Sequence, residues 1–424
     1  MVSRYIPNHH LAGKTDVPLL DFQPFTEQEL VRHFTALAKL NNPGEVVLIG
    51  GGAYDHSIPM VADLASALRN LLTSYTQYQP ELTQGYLQIL FAYQTMIAQL
   101  TGVDFAVNSL YEGGTALAEA ALMSIRIGGK EKRVVLIPET LNPLYKEVLE
   151  TYLVSGAELL LRTIPKTDGG VTDWSALPEM LRANDVASVV AQQPNFVGGV
   201  EDLGMIADIA HEHGALLIVS QYPISLGMLK SPGEIGADIA VGELQSLGLP
   251  LSFGGPYAGY LTTRLTFIDQ APGRLVEETK DVEGKRAYVL AQTKREQHIR
   301  RKRATSNICS NQALATARVV ATLAAWGNRF TAIARRCYDN AHYLGEELAS
   351  IEGFRLRYPD TPFFNEFVVA TDRPGIPELL RKNGFRVLTR FQEPGCFTVA
   401  TTEKHSKDDL DRFVAVLREE APRG

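Results

Sequence analysis

The strongest constraint on this chain lies in its middle, where short apolar runs alternate with helical patterns of about ten residues or more. The runs are VVLIP (134–138), AELLLRTIP (157–165), ASVVAQQP (187–194) and ALLIVSQ (215–221). Between them lie TALAEAALMSIRIGG (115–129), YKEVLETYLVSG (145–156), WSALPEMLRAN (174–184) and GMIADIAHEHG (204–214). Strands that read as continuous apolar runs are buried on both faces, and a helix after each returns the chain for parallel pairing. The middle is therefore an α/β layered domain. After Ala304 the pattern changes to two long amphipathic helices, 311–327 and 329–353, followed by the strand-like FNEFVVAT (364–371), FRVLTR (385–390) and GCFTVAT (395–401). That order predicts a smaller α+β domain. The expected division is an N-terminal arm and helix over 1–65, a large α/β domain over 66–312 and a small α+β domain over 313–424. In the arm, TEQELVRHFTALAKL (26–40) is expected to be a helix opened by a Thr26/Glu29 capping box.

Composition narrows the partners. The 424 residues carry 41 basic and 48 acidic side chains, a formal charge of −7, which argues against a nucleic-acid surface. No run reaches the ~20 apolar residues of a membrane helix. Cys309, Cys337 and Cys396 have no CxxC spacing, so neither a disulfide framework nor a metal centre is expected. The N-terminal MVSRYIPNHH has no apolar leader core, which argues for a cytoplasmic setting.

Several stretches carry candidate chemistry. Gly50, Gly51 and Gly52 follow VVLI and could cradle a phosphate, although the spacing is not GxGxxG and a plain turn is the simpler reading. Gly113, Gly114 and Thr115 open a helix whose free N–H groups suit an anion, but Glu112 would repel one, so the two readings stand level. Tyr75, Tyr78, Gln79 and Glu81 crowd phenols, an amide and a carboxylate around Pro80, a composition suited to a concave site. Arg295, His298, Arg300, Arg301, Lys302 and Arg303 precede Thr305, Ser306 and Asn307, placing cations beside hydroxyl and amide caps of the next helix. His211 and His213 are two apart, on different sides of a helix, and make a poor metal pair.

Taken together, LIGGGAYDHSIP (48–59), TSYTQYQPELTQGYLQILFAYQTMIAQLTG (73–102), SLYEGGTALAEA (109–120), GELQSLGLPLSFGGPYAGY (242–260), APGRLVEETKDVEGKRAYVL (271–290) and REQHIRRKRATSNICSNQAL (295–314) resemble the decarboxylating glycine dehydrogenases of the glycine cleavage system. The likeness is to the N-terminal-half chains of the split bacterial P-proteins. It implies a fold-type I pyridoxal phosphate enzyme, with a large mixed or parallel sheet domain and a smaller α+β domain. In that family a lysine of the second subunit holds the cofactor. Here Gln245 stands where such a lysine would, and Ser220 and Gln221 where an aspartate would pair with the pyridinium nitrogen; an amide cannot form an imine. The resemblance thus implies the half that makes no Schiff base. It would work with a lysine-bearing glycine dehydrogenase subunit 2, glycine and the lipoylated H-protein, as a heterodimer or a dimer of heterodimers. Tyr75, Tyr78, Gln79 and Glu81 would line the cleft, while Thr305, Ser306, Asn307 and Arg303 or Arg300 would reach the partner's pyridoxal phosphate across the interface. Gln77, Glu112, Gly114, Asn142, Leu244 and Ala271 depart from the family's usual residues, and the N-terminal arm is short. Two other readings remain: a catalytically silent scaffold or regulatory subunit, and a self-contained enzyme using another lysine, with Lys230 the nearest.

Overall fold

The computed structural model describes residues 25–41, 44–74, 79–154, 160–292, 297–306, 308 and 312–419. Contacts divide the chain into two units, Met1–Glu45 and Val46–Gly424. In the first, helix α1 (Glu27–Ala38) opens on the anticipated capping box: Thr26 N donates to the Glu29 carboxylate at 2.9 Å, and Thr26 Oγ1 accepts from Glu29 N.

The second unit contains strands β1 (Val46–Leu48), β2 (Phe105–Ala106), β3 (Val134–Pro138), β4 (Leu160–Ile164), β5 (Val186–Gln193), β6 (Leu216–Gln221), β7 (Ile239–Glu243) and β8 (Gly259–Thr263). They are followed by β9 (Leu275–Lys280), β10 (Arg286–Ala291), β11 (Phe354–Leu356), β12 (Glu366–Thr371), β13 (Phe385–Val387) and β14 (Cys396–Ala400). Its early helices are α2 (Met60–Ala67), α3 (Arg69–Leu72), α4 (Gln84–Thr101), α5 (Gly113–Gly128) and α6 (Pro143–Val154).

Seven strands form one sheet in the order β2-β8-β7-β6-β5-β3-β4, in which β4, β3, β5, β6 and β7 run parallel and β8 is antiparallel to both neighbours. Residues alternate across it as the pleat requires. Val135, Ile137, Val190 and Ile218 pack with α5, while Val134, Leu136, Val189 and Leu217 pack with helices Leu177–Leu181 and Ile206–Glu212 on the other face. Ala-rich α5 lies close on the sheet because little side chain separates them: an added Cβ at Gly259 would stand 2.4 Å from the Glu112 carbonyl oxygen.

A second core lies around the antiparallel sheet β11-β12-β14, covered by helices Phe330–Ala349 and Lys407–Glu419. β1 pairs parallel with β13 there, so the segment just after the arm joins the last third of the chain. Strands β9 and β10 form a hairpin closed by Asp281, whose Oδ1 accepts from Glu283 N and Lys285 N. Among the described residues no helix is long and apolar enough to cross a membrane.

Candidate functional site

A parallel sheet covered on both faces has its natural binding crevice outside the carboxyl ends of its strands. In this chain β5, β6 and β7 end at Gln193, Gln221 and Glu243, facing the turn after β1 and the N-termini of α5 and α6. A cavity lies there, lined by Gly52, Tyr54, Tyr145, Tyr222, Gln221 and Glu243 among others, with a volume of about 30 Å³. That is room for one or two waters.

The chain's own side chains have closed the crevice. The N-terminus of α5, a natural anion seat at this end of the sheet, is taken by two carboxylates. Glu112 accepts from Gly114 N at 2.6 Å and Thr115 N at 2.7 Å, and Glu243 accepts from Gly113 N at 3.0 Å. Helix N–H groups and a favourable dipole are thereby satisfied from within, which decides the open question about residues 113–115 against a phosphate. Tyr145 covers the same end: an added Cβ at Gly113 would stand 2.3 Å from its hydroxyl. The glycine turn after β1 is spent too, since Gly51 N donates to Glu366 Oε1 at 2.8 Å.

Gln245 is buried, and both ends of its amide are in use. Its Oε1 accepts from Tyr54 N at 2.9 Å and its Nε2 donates to the Leu249 carbonyl at 3.0 Å. Ser220 and Gln221 occupy the end of β6, with Gln221 Nε2 donating to Ser225 Oγ at 2.7 Å. Lys230 is exposed and does not line the cavity. A pyridoxal phosphate needs an amine, a partner for its ring nitrogen and an anion seat. The described residues of this cavity offer none of the three.

Two buried carboxyls in this region were not anticipated. Burial, reinforced by Glu112 nearby, pushes Glu243 up to about 8 despite the N–H donors of Gly113 and Gln245. Burial likewise pushes Glu366 up to about 7 against the bonds from Tyr54 Oη (2.8 Å) and Gly51 N. A carboxyl that holds its proton better when folded adds stability fully present below its unfolded value, near 4.5, and lost as pH rises toward the folded value. The urea midpoint of the chain is therefore expected to fall between pH 5 and 8. Glu366→Gln, whose amide can accept from Gly51 and donate to Tyr54 Oη, is expected to remove roughly 2–3 kcal/mol of that fall. Equal slopes in variant and parent between pH 5 and 7 would refute the assignment.

Of the residues singled out from sequence, Tyr75, Tyr78 and Asn307 lie outside the described residues, as do Arg295 and Cys309. Gln79 and Glu81 are exposed just before α4, as are Arg300, Arg301, Lys302 and Arg303 in a short helical turn. Thr305 is half-buried, its hydroxyl 3.4 Å from the Ala271 carbonyl. Ser306 donates to Glu119 Oε1 at 2.9 Å and accepts from Ile308 N, so its hydroxyl is used internally. His211 bonds Asp238 and His213 bonds the Ile209 carbonyl. From sequence Glu112 read as a group that would repel an anion rather than as the cap of its own helix, and Glu243 was not singled out.

Comparison with known proteins identifies the setting. The family described as "Glycine cleavage system P-protein" matches residues 2–417. The chain is 45% identical over 423 residues to a protein of Citrifermentans bemidjiense named "Probable glycine dehydrogenase (decarboxylating) subunit 1", covering 98% of this chain and 93% of that one. A protein of Geobacillus kaustophilus with the same name is 44% identical over 402 residues, covering 92% and 88%. Among solved structures, a glycine decarboxylase (P-protein) of the glycine cleavage system in inhibitor-bound form superposes with a TM-score of 0.89 at 40% identity, covering 99% of this chain and 94% of that one. A sphingosine-1-phosphate lyase of Burkholderia pseudomallei shares the fold alone, with a TM-score of 0.69 at 16% identity, covering 98% and 94%. The architecture is that of the fold-type I pyridoxal phosphate enzymes. On the match over nearly its whole length, this chain is a member of the glycine cleavage system P-protein family.

Proposed function

We propose that this chain is the half of a P-protein that makes no covalent bond to pyridoxal phosphate, and that with a lysine-bearing subunit 2 it decarboxylates glycine and passes the aminomethyl group to the lipoyl arm of the H-protein. The observation that carries this reading is Gln245, buried and bonded at both ends of its amide where a Schiff-base lysine would stand. The relatives' name, "subunit 1", speaks for a second subunit. So do exposed apolar side chains along α2, α3 and the turn before α4: Met60, Leu64, Leu68, Leu72 and Leu82 are each more than half exposed, the kind of surface a partner covers. Scattered cysteines suit the reducing cytoplasm.

In this reading the electron sink of pyridoxal phosphate belongs to the partner's site, and this chain shapes that site from outside. Tyr75 and Tyr78 with Gln79 and Glu81 offer donors and acceptors that orient glycine and exclude water. Thr305, with Asn307 and Ser306 beside it, offers a hydroxyl to the partner's phosphate, and Arg303 or Arg300 supplies positive charge for phosphate or carboxylate. Heterodimer and dimer of heterodimers both satisfy this arrangement.

The test is exchange of labelled CO2 into the glycine carboxyl. Neither subunit alone is expected to exchange, and the mixture is. In the mixture Tyr78→Phe and Thr305→Ala should each lower exchange about tenfold, the ~1.4 kcal/mol of one good hydrogen bond. Full activity of subunit 2 alone would reduce this chain to a scaffold and overturn the proposal.

A further inference from the structure

Three side chains from distant parts of the sequence converge where the function proposed above has no use for them. His56 lies in the loop after β1, Cys337 on the helix Phe330–Ala349, and Glu403 in the turn after β14. His56 and Cys337 are buried, and the Glu403 side chain is only 13% exposed. One donor atom from each falls within 4.8 Å of the others. His56 Nδ1 is 2.6 Å from Glu403 Oε2, and Cys337 Sγ is 3.5 Å from that same oxygen. We propose that His56, Cys337 and Glu403 form a site for a single divalent zinc ion.

The donor chemistry selects the ion. A thiolate, an imidazole and a carboxylate are the ligand types that zinc combines, whereas calcium and magnesium take oxygen alone. Ligand bonds of about 2.0–2.3 Å place neighbouring tetrahedral donors roughly 3.3–3.8 Å apart. The sulfur–oxygen separation already meets that spacing. The imidazole–carboxylate pair must open by about 0.7 Å to admit the ion, a shift of two side-chain ends.

The surroundings are arranged as outer partners of such a site. His56 Nε2 is hydrogen-bonded to the Tyr222 hydroxyl, which fixes the ring and leaves Nδ1 facing inward. Glu403 Oε1 accepts from Ser57 N at 2.8 Å, which leaves Oε2 facing the histidine and the cysteine. Metal-binding imidazoles and carboxylates depend on partners of this kind. Charge balances as well. Zinc entry expels the Cys337 thiol proton and the proton held between His56 and Glu403, and the resulting thiolate and carboxylate cancel the dication in a buried place. Three protein ligands leave one position of a tetrahedral zinc, which water would take. The ion would join the loop after β1, the helix through Cys337 and the turn after β14, with Tyr222 linking them to the end of β6.

The spacing of 56, 337 and 403 matches no linear metal motif, so the sequence expectation of no metal centre could not have registered this group. The test uses the full chain, stripped with chelator and titrated with cobalt(II), then zinc. One cobalt per chain is expected, with a thiolate charge-transfer band in the near ultraviolet and tetrahedral bands in the visible, all displaced by one equivalent of zinc. Cys337→Ser should abolish the charge-transfer band, and Tyr222→Phe, which removes only the ring's outer partner, should weaken zinc binding about 10–100-fold. The proposal falls if the unmodified chain shows only the spectrum of octahedral aquo-cobalt, or if folded Cys337→Ser keeps the band. Because the unmodified chain alone can give the first of these results, a variant that fails to fold leaves the test intact.

Discussion

Gln245→Lys is expected to produce a less stable chain that still forms no coloured, borohydride-bleachable adduct with pyridoxal phosphate. On the proposed function, a lysine at position 245 would ordinarily be read as restoring a catalytic amine. The geometry argues otherwise. Gln245 Oε1 is the acceptor for Tyr54 N–H, and an ammonium has no acceptor to replace it. The new cation would sit at a position that is 2% exposed, with the Leu249 carbonyl as the partner it inherits. An uncompensated buried charge costs about 3–5 kcal/mol, and the orphaned N–H adds about 1–3 kcal/mol. Nor is there space for the cofactor: the cavity of about 30 Å³ holds water only, and its anion seat is filled by Glu112 and Glu243. A fall in the urea midpoint together with an unchanged visible spectrum is the expected pair of results. A new band bleached by borohydride would show that the crevice opens and accepts the cofactor once a lysine stands at position 245.

Why the crevice is closed was only partly legible in the amino-acid sequence. The central parallel strands were legible because burial on both faces keeps them mainly apolar: VVLIP is strand β3 residue for residue, and ALLIVSQ and ASVVAQQP each match within one or two. Burial on both faces was expected of AELLLRTIP too, but β4 lies at the sheet edge with Leu160, Arg162 and Thr163 exposed. β8 was missed. GYLTT carries two threonines and a glycine, and its burial, complete at all five residues, comes from neighbours that no local pattern records. The β9–β10 hairpin was missed although DVEG marks its turn, because the outer half of β9, EETK, is exposed and reads as a polar loop.

The site divides along the same line. Gln245, Ser220 and Gln221 could be singled out from sequence because their surroundings are recognisable. Glu366 could not, because its partners Tyr54 and Gly51 are more than 300 residues away in the chain. His56, Cys337 and Glu403 likewise come together only in the fold, with His56 347 residues from Glu403. Glu112 was legible in part: its repulsion of an anion was foreseen. Its occupation of the helix end depends on a side-chain conformation that sequence does not report.

Gly198→Ala should be the most damaging small substitution near this site, costing about 4 kcal/mol in urea unfolding. Gly198 lies in the loop after β5 at φ +89°, where an L-residue pays about 1–3 kcal/mol in backbone strain. Its Cβ would also stand 1.9 Å from the Glu366 carbonyl oxygen and 2.5 Å from the carbonyl carbon, so the obstacle is backbone and cannot rotate away. Overpacking of this kind costs about another 1–3 kcal/mol. The displacement has a defined route. Val200 N bonds the Pro362 carbonyl at 2.7 Å and Gly199 bridges Phe363, so this loop is stitched to the strand that leads into β12. Moving Glu366 pulls its carboxyl from Tyr54 Oη and Gly51 N, and Tyr54 in turn holds Gln245. Gly85→Ala in the first turn of α4 is the matched control. Among the described residues nothing lies within 4 Å of its added Cβ, and alanine favours the helix by up to about 1 kcal/mol. A Gly198→Ala chain that unfolds at the parent's urea midpoint would mean that β12 and the β5 loop do not meet as described. The closure of the crevice would then need another support.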